Sequence, residues 1–304
     1  MVTHHTPAAR RGVPRLMETA RGPVEVARTG SGPALLALHG GMGGFDQGLL
    51  LARAACAGPE GFDVIAPSRP GYLGTPLAGR ESPEAQADLY AALLDELGLA
   101  RTLVAAVSAG GPGALAFAAR HPERCAGVVL VSACTRRLHV PERVRARLPV
   151  MRVVARVPGL PAFMEWMTRR QPMRAARASI LDAAECARTL ADPEAGPLMR
   201  ALQESVLRDM GRRLPGTQVD VDQLTRLPEA PPWRVSVPVL AIHGTGDRVV
   251  PFDHTERLQA ALPATELLRI EGGEHVCLFT HMAAVRAAVA GFLARLPLEE
   301  PASA

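Results

Sequence analysis

Three side chains of this sequence are of the kinds needed to attack a carbonyl carbon: Ser108, Asp247 and His275. A serine hydroxyl is a weak nucleophile until a nearby base takes its proton, and an imidazole serves as that base when a carboxylate holds it in place. Separations of 139 and 28 residues leave it to folding to bring the three together. Ser108 lies in Ala105-Ala106-Val107-Ser108-Ala109-Gly110-Gly111-Pro112-Gly113, between an apolar run and a helix-forming one. A serine on so sharp a strand-to-helix bend has a strained backbone and needs small residues two positions to either side, which Ala106 and Gly110 supply. The bend lifts the hydroxyl above the sheet and leaves the Ala109 N–H at a helix N-terminus, aimed at a developing oxyanion. A second donor is expected from Gly41, with Met42 as the alternative, in Leu38-His39-Gly40-Gly41-Met42-Gly43-Gly44. Asp247 follows His243-Gly244-Thr245-Gly246, and His275 follows Glu271-Gly272-Gly273-Glu274. Asp253 competes with Asp247 for the carboxylate role, but after Pro251-Phe252 it reads as a helix cap. Glu274 is expected on the solvent side of its loop, and Cys277 reads as a packing residue. His39 and His243 read as braces for their loops.

Such residues act together only if strands end along one edge and present them there. Short apolar runs without strict alternation, at Ala34 to Leu38, Asp63 to Ala66, Thr102 to Val107, Gly127 to Val131, Val237 to Ile242 and Thr265 to Ile270, read as strands covered on both faces. Val24 to Ala27 alternates and reads as an exposed antiparallel strand. Helical segments are predicted at Gly48 to Ala57, Pro83 to Leu97 behind a Ser82 cap, Ala109 to Arg120, Thr255 to Ala261 and His281 to Leu296. The alternation predicts an α/β fold, a doubly wound and mostly parallel sheet, with site loops at the carboxyl ends of its strands.

Residues 135–236 break the alternation. They contain no convincing strand and read as short helices divided by prolines, among them Pro149, Pro158, Pro172, Pro193, Pro215 and Pro228. The organisation expected is a disordered N-terminus over 1–15, a core over 16–134 and 237–296, a helical cap insertion over 135–236 and a tail over 297–304. The insertion has 18 Arg against 11 acidic residues, whereas the rest of the chain has 16 against 19.

All 34 basic residues are Arg, and Lys and Asn are absent, as the coding bias of a GC-rich genome would produce. A net charge of +4 over 304 residues, with no basic motif, argues against a nucleic-acid partner. Five scattered cysteines, none spaced C-x-x-C, argue against a disulfide framework or a zinc site. With no apolar run of the ~18 residues a membrane helix needs, and no signal-like segment, stable membrane insertion is not expected and a cytoplasmic location is. Oligomeric state is left open, a homo-oligomer included.

The chain resembles the α/β-hydrolase superfamily, through His39-Gly40-Gly41, Ser68-Arg69-Pro70-Gly71-Tyr72, the bend at Ser108, His121-Pro122-Glu123-Arg124, His243 to Asp247, and His275. It departs at Ala106, where the G-x-S-x-G pattern has glycine. The resemblance implies Ser108 as nucleophile, Asp247 as orienting acid, His275 as base, and Gly41 with Ala109 as oxyanion hole. It implies a serine hydrolase acting on a small-molecule carboxylic ester, with no metal or organic cofactor. Hydrolysis of a diketone-like C–C bond, a thioester or a lactone would use the same groups. A receptor or binding scaffold is the non-enzymatic alternative. Phe163, Met164, Trp166 and Met167 in the insertion, and Val276 beside the base, are the candidate substrate contacts.

Overall fold

In the computed structural model, which describes residues 12–56, 61–230 and 232–297, eight strands form one sheet. They are Arg15–Met17 (β1), Val24–Gly30 (β2), Ala34–Leu38 (β3), Asp63–Pro67 (β4), Thr102–Val107 (β5), Cys125–Val131 (β6), Val239–Gly244 (β7) and Glu266–Ile270 (β8). Their order is β1-β2-β4-β3-β5-β6-β7-β8; β2 runs antiparallel to both neighbours, and β4 to β8 with β3 are parallel.

Every residue of β3, β4, β6 and β7 is buried, as unbroken apolar runs require when helices cover both faces. Two expectations fail at the sheet margins. The Val24 strand is not exposed, because β1 and β4 flank it and Val24, Val26 and Ala27 are buried. Strand β8 is not covered on both faces, because it is an edge strand with Glu266 and Arg269 exposed. The three-residue β1 has no periodic signal, and its Arg15, within the terminus expected to be disordered, pairs with Val26. Residues 1–11 of that terminus and 298–304 of the tail lie outside the described residues.

The helices are Phe45–Ala55 (α1), Pro83–Glu96 (α2), Gly111–Arg120 (α3), Glu142–Arg156 (α4), Leu160–Arg170 (α5), Pro172–Ala176 (α6), Ala183–Ala191 (α7), Ala195–Leu207 (α8), Met210–Arg226 (α9), Asp253–Ala261 (α10), Cys277–Thr280 (α11) and Met282–Leu293 (α12). Ser82 caps α2 as expected, its Oγ accepting the Ala85 N–H while Pro83 fills the first turn. Helices α2, α3 and α10 cover one sheet face, and α1, α11 and α12 the other.

Residues 135–236 hold α4 to α9 and, among the described residues, no strand. Pro149 and Pro215 do not divide helices as expected but lie inside α4 and α9, so those helices are longer than the proline spacing indicates. The segment is not a separate layer throughout. Ala176, Ile180, Cys186, Leu198 and Met199 join the core beside α1 and α12, whereas α4 and α9 share a small cluster of their own around Leu148, Met210, Leu214 and Val221.

Candidate active site

The bend after β5 places Ser108 at φ +53°, the left-handed region that non-glycine residues occupy at a cost. Crowding explains the small neighbours. A Cβ on Gly110 would stand 2.7 Å from the His39 carbonyl oxygen, and one on Gly40 would stand 3.1 Å from Ser108 Cβ. Ala106 is fully buried, and its methyl group is accommodated within the apolar layer.

His275 Nε2 lies 3.1 Å from Ser108 Oγ, and His275 Nδ1 lies 2.7 Å from Asp247 Oδ2. With a neutral ring, Nδ1–H donates to the carboxylate and Nε2 keeps a lone pair facing the hydroxyl. Asp247 ends a turn after β7 and is held on both oxygens. Its Oδ1 accepts the N–H groups of Val249 at 2.8 Å and Val250 at 3.0 Å, and its Oδ2 also faces His243 Nε2 at 3.3 Å. Burial works against the Asp247 anion, but hydrogen bonds from His243, His275 and Val249 outweigh it and hold the carboxyl below the usual carboxylate range. The base therefore keeps an ionised partner.

His243 does more than brace its loop. The Thr255 hydroxyl donates to its Nδ1 at 2.6 Å, which leaves Nε2–H to donate toward the Val250 carbonyl and Asp247. Asp253 is neither the partner of His275 nor a helix cap. It occupies the first turn of α10, behind Phe252 at the cap position, and pairs with Arg136. Glu274 is half-buried at the surface, where its carboxylate accepts the Leu181 N–H of the helical segment at 2.9 and 3.1 Å. Cys277 is buried with its Sγ 3.4 Å from Ser132 Oγ, and burial pushes its thiol up to about 11, consistent with packing.

The two candidates for the second oxyanion donor separate by their partners. The Met42 N–H is not free, because it donates to Thr217 Oγ1 of α9 at 3.1 Å. Among the described residues no hydrogen bond engages the Gly41 N–H, and a Cβ built there would meet nothing within 4 Å. The Gly41 backbone borders open space, next in sequence to the Gly40 that packs on Ser108, and the Ala109 N–H lies in the first helical turn, where intrahelical acceptors are missing.

Beneath these loops lies an assembly that sequence reasoning missed. Arg69, 2% exposed after β4, donates from Nη1 to Asp220 Oδ1 of α9 at 2.9 Å and pairs through Nη2 with Oδ2. The same guanidinium donates to the carbonyls of Ala109 at 3.2 Å and Gly40 at 3.4 Å, and Tyr72 Oη donates to Asp220. His39 joins through its ring, accepting the Arg69 N–H on Nε2 at 2.9 Å and donating from Nδ1 to the Gly40 carbonyl at 2.7 Å. Burial, reinforced by the Arg69 charge, holds its imidazole neutral well below the ordinary histidine range. Arg69 belongs to a recognisable turn, but nothing near Asp220, 151 residues on, marks it as a partner.

The candidate substrate contacts are divided. Phe163, Met164 and Trp166 are exposed on α5; an apolar cluster in sequence does not reveal which way its helix faces. Met167 is half-buried, and Val276 is buried in the core layer containing α11 and α12. Among the described residues, no three His, Cys, Asp or Glu side chains cluster as a metal site would require, and no helix is long and apolar enough to cross a membrane.

Residues 35–288 match a family profile described as the alpha/beta hydrolase family. An uncharacterised hydrolase of Bacillus subtilis is 34% identical over 137 residues, 42% of this chain and 44% of that protein, so the match spans less than half of that relative. A pimeloyl-acyl-carrier-protein methyl ester esterase of Aromatoleum aromaticum is 30% identical over 228 residues, 73% of this chain and 84% of that one. Among solved structures, an alpha/beta hydrolase fold protein from Nakamurella multipartita superposes with a TM-score of 0.80 at 32% identity, covering 92% of this chain and 99% of that one. A thermophilic esterase from Thermogutta terrifontis shares the fold at TM-score 0.66 and 22% identity, over 93% of this chain and 98% of its own. The chain is an enzyme of the alpha/beta hydrolase family.

Proposed function

We propose that the protein hydrolyses a carboxylic ester through an acyl-enzyme on Ser108. The observation that carries this reading is the continuous line from Asp247 Oδ2 through the His275 ring to Ser108 Oγ, at 2.7 and 3.1 Å. As Ser108 Oγ adds to the ester carbonyl, its proton passes to His275 Nε2, and Asp247 stabilises the imidazolium that forms. The carbonyl oxygen becomes an oxyanion facing the N–H groups of Gly41 and Ala109. Removing one such donor typically costs about 10²- to 10³-fold in turnover. Collapse of the tetrahedral adduct expels the alcohol, which takes its proton from His275. Water, deprotonated by the same imidazole, then releases the acid and regenerates Ser108. The methyl ester esterase named among the relatives supports an ester as the bond cleaved.

Ser108→Ala is expected to abolish both p-nitrophenyl ester turnover and fluorophosphonate labelling, while the folded state persists in thermal melting. Labelling that survives the substitution would place the nucleophile elsewhere. Because a protonated imidazole cannot accept the serine proton, the rate should fall on acidification. A rate indifferent to acidification in protein that stays folded would remove His275 from the mechanism.

A further inference from the structure

The helical segment carries a surface that the proposed chemistry does not use. Exposed large apolar residues are ordinary when scattered singly, but here seven of the twelve in the described chain fall between Val144 and Trp166. On α4, Val150 and Val153 are 62% and 63% exposed at i, i+3 spacing, away from Leu148 and Met151, which pack with α9, and Val157 just past the helix is exposed as well. On the next helix, Phe163 and Trp166 are 56% and 47% exposed and stack on each other at 5.8 Å.

These apolar residues lie among cations. Residues 142–170 contain seven Arg against two acidic residues, and one of those acids, Glu165, is already paired with Arg169 and Arg208. Among the described residues, Arg145, Arg147, Arg152, Arg156 and Arg170 have no carboxylate partner; Arg152 meets only the amide of Gln218, and Arg170 lies 4.7 Å over the Trp166 ring. Exposed valines and aromatics beside unpaired guanidinium groups match the headgroup boundary of an anionic bilayer, where rings enter the interface and arginines meet phosphates. A second copy fits this surface poorly, since a two-fold contact would set the same arginines against each other.

We propose that α4 and α5 form a peripheral docking surface for anionic lipid bilayers, with the exposed apolar residues of both helices at the headgroup boundary and the surrounding arginines on lipid phosphates. The proposal is independent of the chemistry at Ser108, and it can be tested on the full chain and on Ser108→Ala alike.

The test is sedimentation with vesicles of phosphatidylcholine alone or mixed with phosphatidylserine, with tryptophan emission read in parallel. The only other tryptophan, Trp233, is 7% exposed and donates to the Thr135 carbonyl, so a blue shift on vesicle addition reports Trp166. The expected result is binding to the phosphatidylserine vesicles only, weakening with salt, with a blue shift that Trp166→Phe removes while sedimentation persists. Arg152→Gln with Arg156→Gln should lower the partition coefficient about 25-fold, roughly fivefold for each charge lost, and Val153→Glu should lower it further. These side chains are exposed, and an unchanged melting temperature certifies the fold. No sedimentation with either vesicle overturns the proposal. So does binding indifferent to the arginine and Val153 changes, which assigns it to another surface. Trp166-dependent self-association, or retention on polyglutamate, without vesicle binding would replace the bilayer with a second copy or an acidic polypeptide.

Discussion

Two buried carboxylates lie near the carboxyl edge of the sheet, and their partners give them different work. Asp247 is surrounded by two imidazoles and two backbone N–H groups, none carrying a permanent charge. Asp220 faces the guanidinium of Arg69, which stays protonated under all ordinary conditions, and the hydroxyl of Tyr72. A carboxylate beside neutral donors has negative charge to offer when a proton reaches His275. One already neutralised by Arg69 has none, and instead pins α9 to the carbonyls of Gly40 and Ala109. Residue type and burial are shared; what separates a group suited to catalysis from a structural one is whether its neighbour can change protonation state.

The sharpest way to break this comparison is to remove charge from each carboxylate in turn. Asp247→Asn should leave the fold in place but present the wrong hydrogen-bonding pattern to His275, lowering kcat by about 10⁴-fold in steady-state ester hydrolysis. Asp220→Asn should act mainly on stability, because it strands the Arg69 guanidinium in the interior. A loss of about 3–5 kcal/mol is expected in urea denaturation, largely recovered when Arg69→Met removes the orphaned charge as well. If Asp220→Asn instead abolished turnover in protein that remained fully folded, the two carboxylates would not divide their work in this way.

His254 extends the comparison to a buried base that must remain neutral. Its Nδ1 accepts the Thr135 N–H at 3.2 Å, and burial, helped by the Arg136 charge, lowers its pKa to about 4. In the unfolded chain a histidine titrates near 6.5, so between those values the unfolded state binds more protons and stability is lost as the pH is lowered. The loss should approach about 3 kcal/mol by pH 4, on top of any acid loss from Asp247, whose depressed pKa gives stability that persists above the carboxylate range and disappears as pH drops through its folded value. Urea midpoints measured at neutral and acidic pH should show a slope that His254→Gln reduces. The smallest effect is expected from Thr217→Val, which removes the acceptor of the Met42 N–H. About 1 kcal/mol of stability should be lost, with a change of only a few-fold in kcat, since the donor freed is not the one assigned to the oxyanion.

Much of the arrangement was legible in the sequence because it is written locally. Unbroken apolar runs identify buried parallel strands, a serine between Ala106 and Gly110 identifies the bend, and Asp247 and His275 follow strand ends at which a parallel sheet must gather its loops. The misreadings share a cause. Asp253 looks like a cap until Arg136, 117 residues away, approaches it. The exposure of Phe163 and Trp166 was not legible either, because composition says nothing about which face of α5 is turned outward. Met42 stays an alternative to Gly41 until Thr217 of α9 engages its N–H.

Periodicity, turn chemistry and chain order thus determine the sheet, the bend at Ser108 and the edge on which the three reactive side chains meet, because each depends on residues close together in sequence. Tertiary structure alone decided that His243 supports Asp247, that Arg69 joins Asp220 beneath the Gly40 and Ala109 carbonyls, and that an apolar, arginine-rich face of α4 and α5 is left uncovered. Those outcomes depend on which distant groups share a low-dielectric interior and which remain in water, and a buried charge takes whatever partner the fold brings to it.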